Sequence, residues 1–197
     1  RKRVVYVGVR KDLKNTEYIF PEPENDGKTN LPNLKKIITF SMEGAIQITE
    51  DDFDMNTIPK ECILKNINNK DTGNENVHPY LTLKAKTRDQ AYSGKIHHTL
   101  LSFSKRDSPI HSEIIDIRNP SKTIICTYDH QPRLYVALQN KNGYFLRCLL
   151  PDELKQIQGF PKDFHLCGSK KDQIKQIGNA VPPPLIERVA KQLLHMT

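Results

Sequence analysis

The stretch QIGNAVPPPL, residues 176–185, combines residue types that suit contact with a small ligand. Gly178 permits a sharp backbone turn, and Asn179 offers both backbone and side-chain amide hydrogen bonds. The prolines that follow fix the direction of the chain at little entropic cost. The combination predicts a rigid wall beside a small ligand. A plain helix-starting turn with Pro184 near its first position would explain the prolines, but it would not explain the glycine–asparagine pair.

The uneven distribution of basic residues indicates a surface for a polyanion. The formal net charge is +7, and residues 81–150 hold eleven basic and five acidic side chains. Such a block is a candidate nucleic-acid surface, with an ordinary solvated face as the alternative. Gln131 and Arg133 lie within it, and side chains of these types can read guanine or adenine edges in a major groove. Contact with phosphate alone is the commoner role of arginine at such interfaces.

The cysteines argue against a metal site or a disulfide framework. The four cysteines show no C-x-x-C pairing, so we expect free thiols in a reducing compartment. Cys126 and His130 are four residues apart, but two ligands do not make a site, and no metal is predicted. No apolar run approaches the ~18 residues needed to cross a bilayer. The basic start of the chain runs directly into a strand-like segment, unlike a signal peptide, so we expect a soluble intracellular protein without membrane contact.

The hydrophobic pattern predicts a mixed α/β chain. RVVYVGVR, residues 3–10, is typical of a strand covered on both faces, as in a parallel sheet. LPNLKKIITF, residues 31–40, predicts a short helix with Pro32 in its first turn. Between residues 41 and 140 the pattern favours an irregular β region of short strand-like pieces, which are GAIQIT, YLTLKAKT, HHTLLSFS, EIIDI, KTIICTY and RLYVAL.

Two helices are predicted near the end of the chain. PDELKQIQ starts with Pro151 at a position where proline suits the first helical turn. PLIERVAKQLLH, residues 184–195, is amphipathic. Its apolar stripe comprises Leu185, Val189 and Leu193, flanked by Ile186, Ala190 and Leu194.

Three stretches, in one order, resemble motifs of the cytosine-5 DNA methyltransferase family. They are RKRVVYVGVR at residues 1–10, RCLLPDELKQIQGFP at 147–161 and QIGNAVPPPL at 176–185. The resemblance covers both ends of the chain. It implies part of a Rossmann-like catalytic domain at 1–40, a small β-rich target-recognition domain at 41–145, and helices at 146–197 that return to the catalytic domain.

The resemblance also implies roles for individual residues. Addition of a cysteine thiolate to C6 of cytosine places negative charge on the ring, and a guanidinium bonded to the ring O2 can stabilise it. Arg3 matches that guanidinium and Arg1 its supporting neighbour. Thr123, in PSKTIICTY, matches a threonine that contacts phosphate beside the flipped base. The residues matched to a wall of the S-adenosylmethionine pocket are Gly178, Asn179, Ala180 and Val181.

The segment 147–161 resembles an organising helix that joins the recognition region to the catalytic domain. Glu153, Gln158, Gly159 and Pro161 are the structural residues that this likeness implies. The sequence departs from the family pattern at two positions. Asp152 stands where the family usually has arginine, and Leu150 where a capping threonine is often found, which leaves the local salt bridges open.

In this family, three other motifs lie upstream of the paired arginines, and the sequence contains none of them at such a position. These are a proline–cysteine nucleophile, a glycine-rich cofactor loop and a Glu-Asn-Val triplet. The triplet at residues 75–77 follows the paired arginines and is interpreted as coincidence, and none of the cysteines follows a proline. We therefore expect a C-terminal fragment or subunit, inactive without an N-terminal catalytic half or large subunit.

The predicted function is site-specific recognition of duplex DNA within an S-adenosylmethionine-dependent DNA (cytosine-5-)-methyltransferase, in a restriction–modification system. The expected location is the bacterial cytoplasm, or the nucleus of a eukaryote. Two alternatives remain open at this point. One is the RNA-directed branch of the same family, and the other is a non-catalytic DNA-binding module whose binding would be sensitive to salt.

Overall fold

A five-stranded sheet lies at the centre of the structure. The computed structural model describes residues 4–12, 18–23, 31–48, 60–72, 81–83, 101–103, 113–128 and 134–194. The strands of this sheet are β1 (Ile46–Ile48), β2 (Ile63–Asn66), β5 (Glu113–Ile114), β6 (Leu134–Asn140) and β7 (Gly143–Cys148). A separate antiparallel pair is formed by β3 (Leu81–Leu83) and β4 (Leu101–Phe103).

The longest strands, β6 and β7, form an antiparallel hairpin that organises the sheet. β1 pairs antiparallel with the free side of β7, while β2 and β5 both pair parallel with the other side of β6. The hairpin turn runs from Asn140 to Gly143, where φ is 125°, a conformation that favours glycine. Strand pieces predicted near 46, 81, 101, 113 and 134 are therefore present, although shorter or shifted, whereas β2 and β7 were not anticipated.

Three helices follow the hairpin, namely α1 (Pro151–Ile157), α2 (Lys170–Asn179) and α3 (Pro183–Leu194). The predictions of α1 and α3 are confirmed, and α2 was missed. The start of α2 is a reciprocal capping box: the Ser169 hydroxyl accepts from the Asp172 amide at 3.3 Å, and the Asp172 carboxylate accepts from the Ser169 amide at 3.2 Å. The chain is thus mixed α/β, as predicted.

The main hydrophobic core lies between one face of the sheet and the helices α1 and α2. Along β6, Leu134, Val136 and Leu138 belong to this core, while Tyr135 and Ala137 belong to a smaller cluster on the other face. The main core draws on all three predicted parts of the chain, with members that include Leu34, Ile38, Ile115, Ile124, Phe145, Leu154, Ile174 and Ile177. Segments distant in sequence therefore share one core.

Two local predictions near the start of the chain are wrong. Residues 4–10 belong to no strand, and Val4 and Tyr6 are 74% and 91% exposed. A buried strand needs partners for its backbone and its two faces, and the described residues place no strand beside this segment. The helix predicted over 31–40 is reduced to one turn. In this turn the amides of Ile37 and Ile38 both donate to the Leu34 carbonyl at 2.9 Å.

The segment KTIICTY was predicted as a strand and is instead a loop ending in a turn. Ile124 is buried in the main core, and the Tyr128 amide donates to the Ile125 carbonyl at 3.0 Å. The apolar residues of this segment are therefore used to hold a loop against the core. That loop carries Thr123.

Tyr128 joins the ends of three segments through its phenolic oxygen. Its side chain is buried, and the hydroxyl donates to the Leu134 carbonyl at 2.6 Å. The same oxygen accepts from the Leu149 amide at 2.8 Å. Burial raises the pKa of Tyr128 well above its usual value, so the hydroxyl remains protonated and able to donate.

We expect Tyr128→Phe to lower the free energy of unfolding by about 1–3 kcal/mol, because it leaves a buried carbonyl and a buried amide without this partner. Urea denaturation would measure the loss, with Tyr6→Phe, at an exposed position, as the matched control. The folded-state pKa of Tyr128 exceeds the unfolded-state value, so unfolding releases its proton above about pH 10 and stability falls as pH rises there. The wild type should lose more stability over that range than Tyr128→Phe, and equal losses would contradict the assignment.

Candidate functional site

A cleft of about 420 Å³ opens between the Thr123 loop, the end of α1 and the junction between α2 and α3. Its lining residues are Ser121, Lys122, Thr123, Ile124, Ile157, Gln158, Gly178, Pro182 and Leu185. The polar members on the loop include a cation and two hydroxyls, whereas the wall formed by the helices is mostly apolar. The cleft can therefore hold a group that is anionic at one end and apolar at the other.

The cleft brings together two predicted site residues from different motifs, Thr123 and Gly178. Asn179 is exposed and Ala180 and Val181 are half-buried next to Gly178 in the chain. Ser121 and Lys122 also line the cleft and were not predicted. Their position directly before Thr123 in the sequence could have identified them.

Five further predictions lie outside the described residues. They concern Arg1, Arg3, Gln131, Arg133 and the triplet at residues 75–77. The structure leaves these as predictions.

Gly178 does not form the sharp turn that the sequence suggested. It is the second-last residue of α2 and is buried. A Cβ atom at this position would lie 2.7 Å from the carbonyl carbon of Ile125 and still closer to the backbone N and Cα of Cys126. The chain leaves the helix two residues later, at Ala180, with φ −61° and ψ 149°. Glycine is therefore required here for the close approach of two backbones rather than for a turn.

The segment 147–161 meets the segment 176–185 at two contacts. The Gln158 side-chain amide donates to the Ala180 carbonyl at 2.9 Å. Gly159 has φ 90°, and a Cβ atom there would lie 2.7 Å from Cδ of Pro184. Gln158 and Gly159, which directly follow α1, thus contact the junction between α2 and α3.

The three consecutive prolines occupy the start of α3. Pro183 and Pro184 are its first two residues, and the Pro182 carbonyl accepts from the amides of Leu185 at 3.0 Å and Ile186 at 3.4 Å. Amides in the first turn of a helix have no partner within the helix, and proline has no amide hydrogen to leave unpaired. The run therefore begins the helix without adding unsatisfied donors.

The apolar stripe of α3 is mostly uncovered by the residues that the structure describes. Val189 is buried, but Leu185, Ile186 and Leu194 are 41%, 42% and 72% exposed. The Tyr18 hydroxyl donates to the Val189 carbonyl at 3.1 Å, which places part of the N-terminal region against this helix. The stripe is thus amphipathic as predicted, with most of its apolar side accessible.

The described residues contain no group of three or more His, Cys, Asp or Glu side chains that could hold a metal ion. None of the four cysteines forms a disulfide. Within the same part of the chain, none of the helices has the length and apolar character to cross a bilayer.

Comparison with known proteins shows that nearly the whole chain matches one protein family. The family described as C-5 cytosine-specific DNA methylase matches residues 1–195. The type II methyltransferase M.FnuDI of Fusobacterium nucleatum is 27% identical over 198 residues, which cover 98% of this chain and 50% of that protein. M.AplI of Arthrospira platensis is 46% identical over 83 residues, covering 38% of this chain and 21% of that protein.

M.MspI of a Moraxella species, also a type II methyltransferase, is 35% identical over 72 residues, covering 36% of this chain and 17% of that protein. The chain therefore spans half or less of the length of each of these relatives. No solved structure matches the chain.

Proposed function

Because this chain belongs to the C-5 cytosine-specific DNA methylase family, we propose that it is the target-recognition and cofactor-wall part of a DNA (cytosine-5-)-methyltransferase. The longer enzyme would methylate C5 of a cytosine flipped out of duplex DNA. The observation that carries this proposal is the cleft that Thr123 and Gly178 share. The type II methyltransferases among the relatives support a place in a restriction–modification system.

The loop side of the cleft suits the sugar–phosphate backbone of DNA. Thr123 is exposed there beside Lys122, so a hydroxyl and a cation are offered at neighbouring positions. Backbone phosphates are bound by such side chains, and these contacts fix the register of the protein on the duplex. Gln131 and Arg133 would read base edges from the same region of the chain.

Residues 179–181, which lie between the cleft-lining residues Gly178 and Pro182 in the chain, suit one wall of the S-adenosylmethionine pocket. Asn179 offers an exposed side chain that can donate and accept, and Val181 adds a half-buried apolar surface. Gly178 contributes differently, since the space left by its missing Cβ is taken by the Cys126 backbone. Asn179, Ala180 and Val181 would contact the cofactor, which supplies the methyl group when bound.

Catalysis would need groups beyond these residues. None of the four cysteines follows a proline, so the nucleophile would come from an N-terminal catalytic half. Arg3 would hold the cytosine O2, supported by Arg1, and would stabilise the negative charge that builds up on the ring. Residues 1–40 and 146–197 would complete the Rossmann-like domain of that half, with residues 41–145 as the target-recognition domain.

We expect methylation to appear when an N-terminal half from a family member, carrying the proline–cysteine nucleophile, is mixed with this chain. Transfer of a labelled methyl group to duplex DNA and to tRNA would be measured, with each half alone as the control. Methylation of DNA only with both halves present supports the proposal. Methylation of tRNA instead would favour the RNA-directed alternative, and salt-sensitive DNA binding without methylation would favour a non-catalytic module.

A further inference from the structure

We infer that Gly178 is a positioning residue, which sets the distance between Thr123 and the wall formed by residues 179–181. This role differs from direct contact with the cofactor. The roles of Thr123 and of the wall rest on the proposed function. The packing that links them rests on contacts within the structure.

The loop that carries Thr123 is seated directly on α2. A Cβ atom at Gly178 would lie 2.7 Å from the Ile125 carbonyl carbon, and the Cys126 backbone would be closer still. These neighbours are backbone atoms, which cannot rotate away as the end of a side chain can. The loop is also anchored in the core by Ile124, which is buried among the main cluster.

The junction between α2 and α3, on the other side of this contact, is also fixed by packing and hydrogen bonding. Ile177, the residue before Gly178, is completely buried. The carbonyl of Ala180 accepts from the Gln158 side chain at 2.9 Å, and Pro184 packs against Gly159. Because the loop and the junction between α2 and α3 are both fixed, an added methyl group at Gly178 must separate them. The separation would move Thr123 away from the wall.

Helix propensity alone predicts that such a substitution would stabilise the protein and would not loosen the loop. Alanine is favoured over glycine inside a helix by roughly 1 kcal/mol, so an otherwise free Gly178→Ala change would stabilise α2. Any loosening of the loop in Gly178→Ala would therefore come from the contact with Ile125 and Cys126. Gly8→Ala is the matched control, since a Cβ atom at Gly8 would have no neighbour within 4 Å.

The test uses the reactivity of the native cysteines in the full chain. Cys126 is half-buried at the contact and reports on its opening. Cys167 is exposed and gives the reference rate of labelling, while Cys62 is buried and becomes labelled only on global unfolding. In Gly178→Ala we expect alkylation of Cys126, followed by mass spectrometry, to accelerate roughly three- to tenfold relative to Cys167, as expected for local opening. Cys62 should remain protected, and Gly8→Ala should match the wild type. An unchanged Cys126 rate would overturn the inference.

Gln158→Leu provides a milder variant if Gly178→Ala does not fold. It removes the bond to Ala180 that holds the junction and leaves the loop untouched. We expect Cys126 alkylation to rise about twofold in this variant, by the same local opening. An unchanged rate in Gln158→Leu would then overturn the inference.

Steady-state kinetics of the complemented enzyme distinguish a positioning role of Gly178 from direct contact with the cofactor. If Gly178 positions Thr123, Gly178→Ala should raise the KM for duplex DNA on the order of tenfold and leave the KM for S-adenosylmethionine near the wild-type value. A selective rise in the KM for S-adenosylmethionine would overturn the inference in favour of direct contact. The alkylation result does not depend on methylation, so failure of the proposed function and failure of this inference give different outcomes.

Discussion

Replacing Glu153 with glutamine should lower the free energy of unfolding by about 3–5 kcal/mol, because it leaves a buried guanidinium without its counter-charge. Arg147 is completely buried, and Glu153 is 4% exposed. The two side chains form a bidentate pair, with nitrogen–oxygen distances of 2.7 and 2.8 Å. A charge in such a place cannot be compensated by water, so the loss is larger than at a surface pair.

The surrounding hydrogen bonds explain why the pair is tolerated inside the core. The guanidinium also donates to the carbonyls of Thr39, Ser41 and Cys148, so all five of its N–H groups have acceptors. Glu153 in turn accepts from the Leu150 amide at 2.9 Å and so satisfies a donor at the start of α1. The network is complete without the arginine and threonine that the family pattern would place at 152 and 150.

Glu187→Gln is the matched control for this prediction. Glu187 pairs with Lys191 on the surface of α3, where both side chains are more than 60% exposed. We expect this change to have little effect on the free energy of unfolding, because solvent screens an exposed ion pair. Urea denaturation followed by circular dichroism would measure both variants, and a similar small effect in both would contradict a stabilising role for the buried pair.

Replacing Arg3 with alanine should reduce methylation by the complemented enzyme about 10²–10³-fold, the usual cost of removing one donor that stabilises transition-state charge. The resemblance assigns the Arg3 guanidinium to the O2 atom of the flipped cytosine. Because that interaction strengthens as charge develops on the ring, its loss should lower kcat more than it raises the KM for DNA. Duplex affinity should stay within about threefold of the wild type, since phosphate contacts supply most of the binding.

Arg10→Ala controls for the loss of a positive charge from the same segment. Arg10 pairs with Asp12 at 2.7 Å in an exposed position, so its removal should have little effect on turnover. Single-turnover methylation and duplex binding would be measured for both variants. Near-normal turnover of Arg3→Ala would show that Arg3 does not have the proposed role.

Sequence patterns anticipated the elements whose signals are local. Pro151 at the first position of α1 and the apolar spacing of α3 depend only on nearby residues, and both helices are present. The helix α2 was missed because Ile174 and Ile177 are its only apolar residues, which gives a weak stripe. The capping pair Ser169 and Asp172 was the signal that could have identified it.

Long-range contacts could not be predicted from spacing. The need for glycine at 178 arises from the approach of Cys126, which a sequence pattern does not encode. The apolar run KTIICTY has the composition of a strand, yet tertiary packing of Ile124 holds it as a loop. The placement of Thr123 beside Gly178 therefore became visible only in the folded chain.

The proline run at the start of α3 changes which groups could bind an anion in the neighbouring cleft. A helix start commonly binds phosphate through its unpaired amides. Here Pro182, Pro183 and Pro184 provide no amide hydrogen, and the next two amides already donate to Pro182. A phosphate in the cleft would therefore depend on side chains of the loop, so its recognition can be altered by substitution at positions 121–123 without changing the helix.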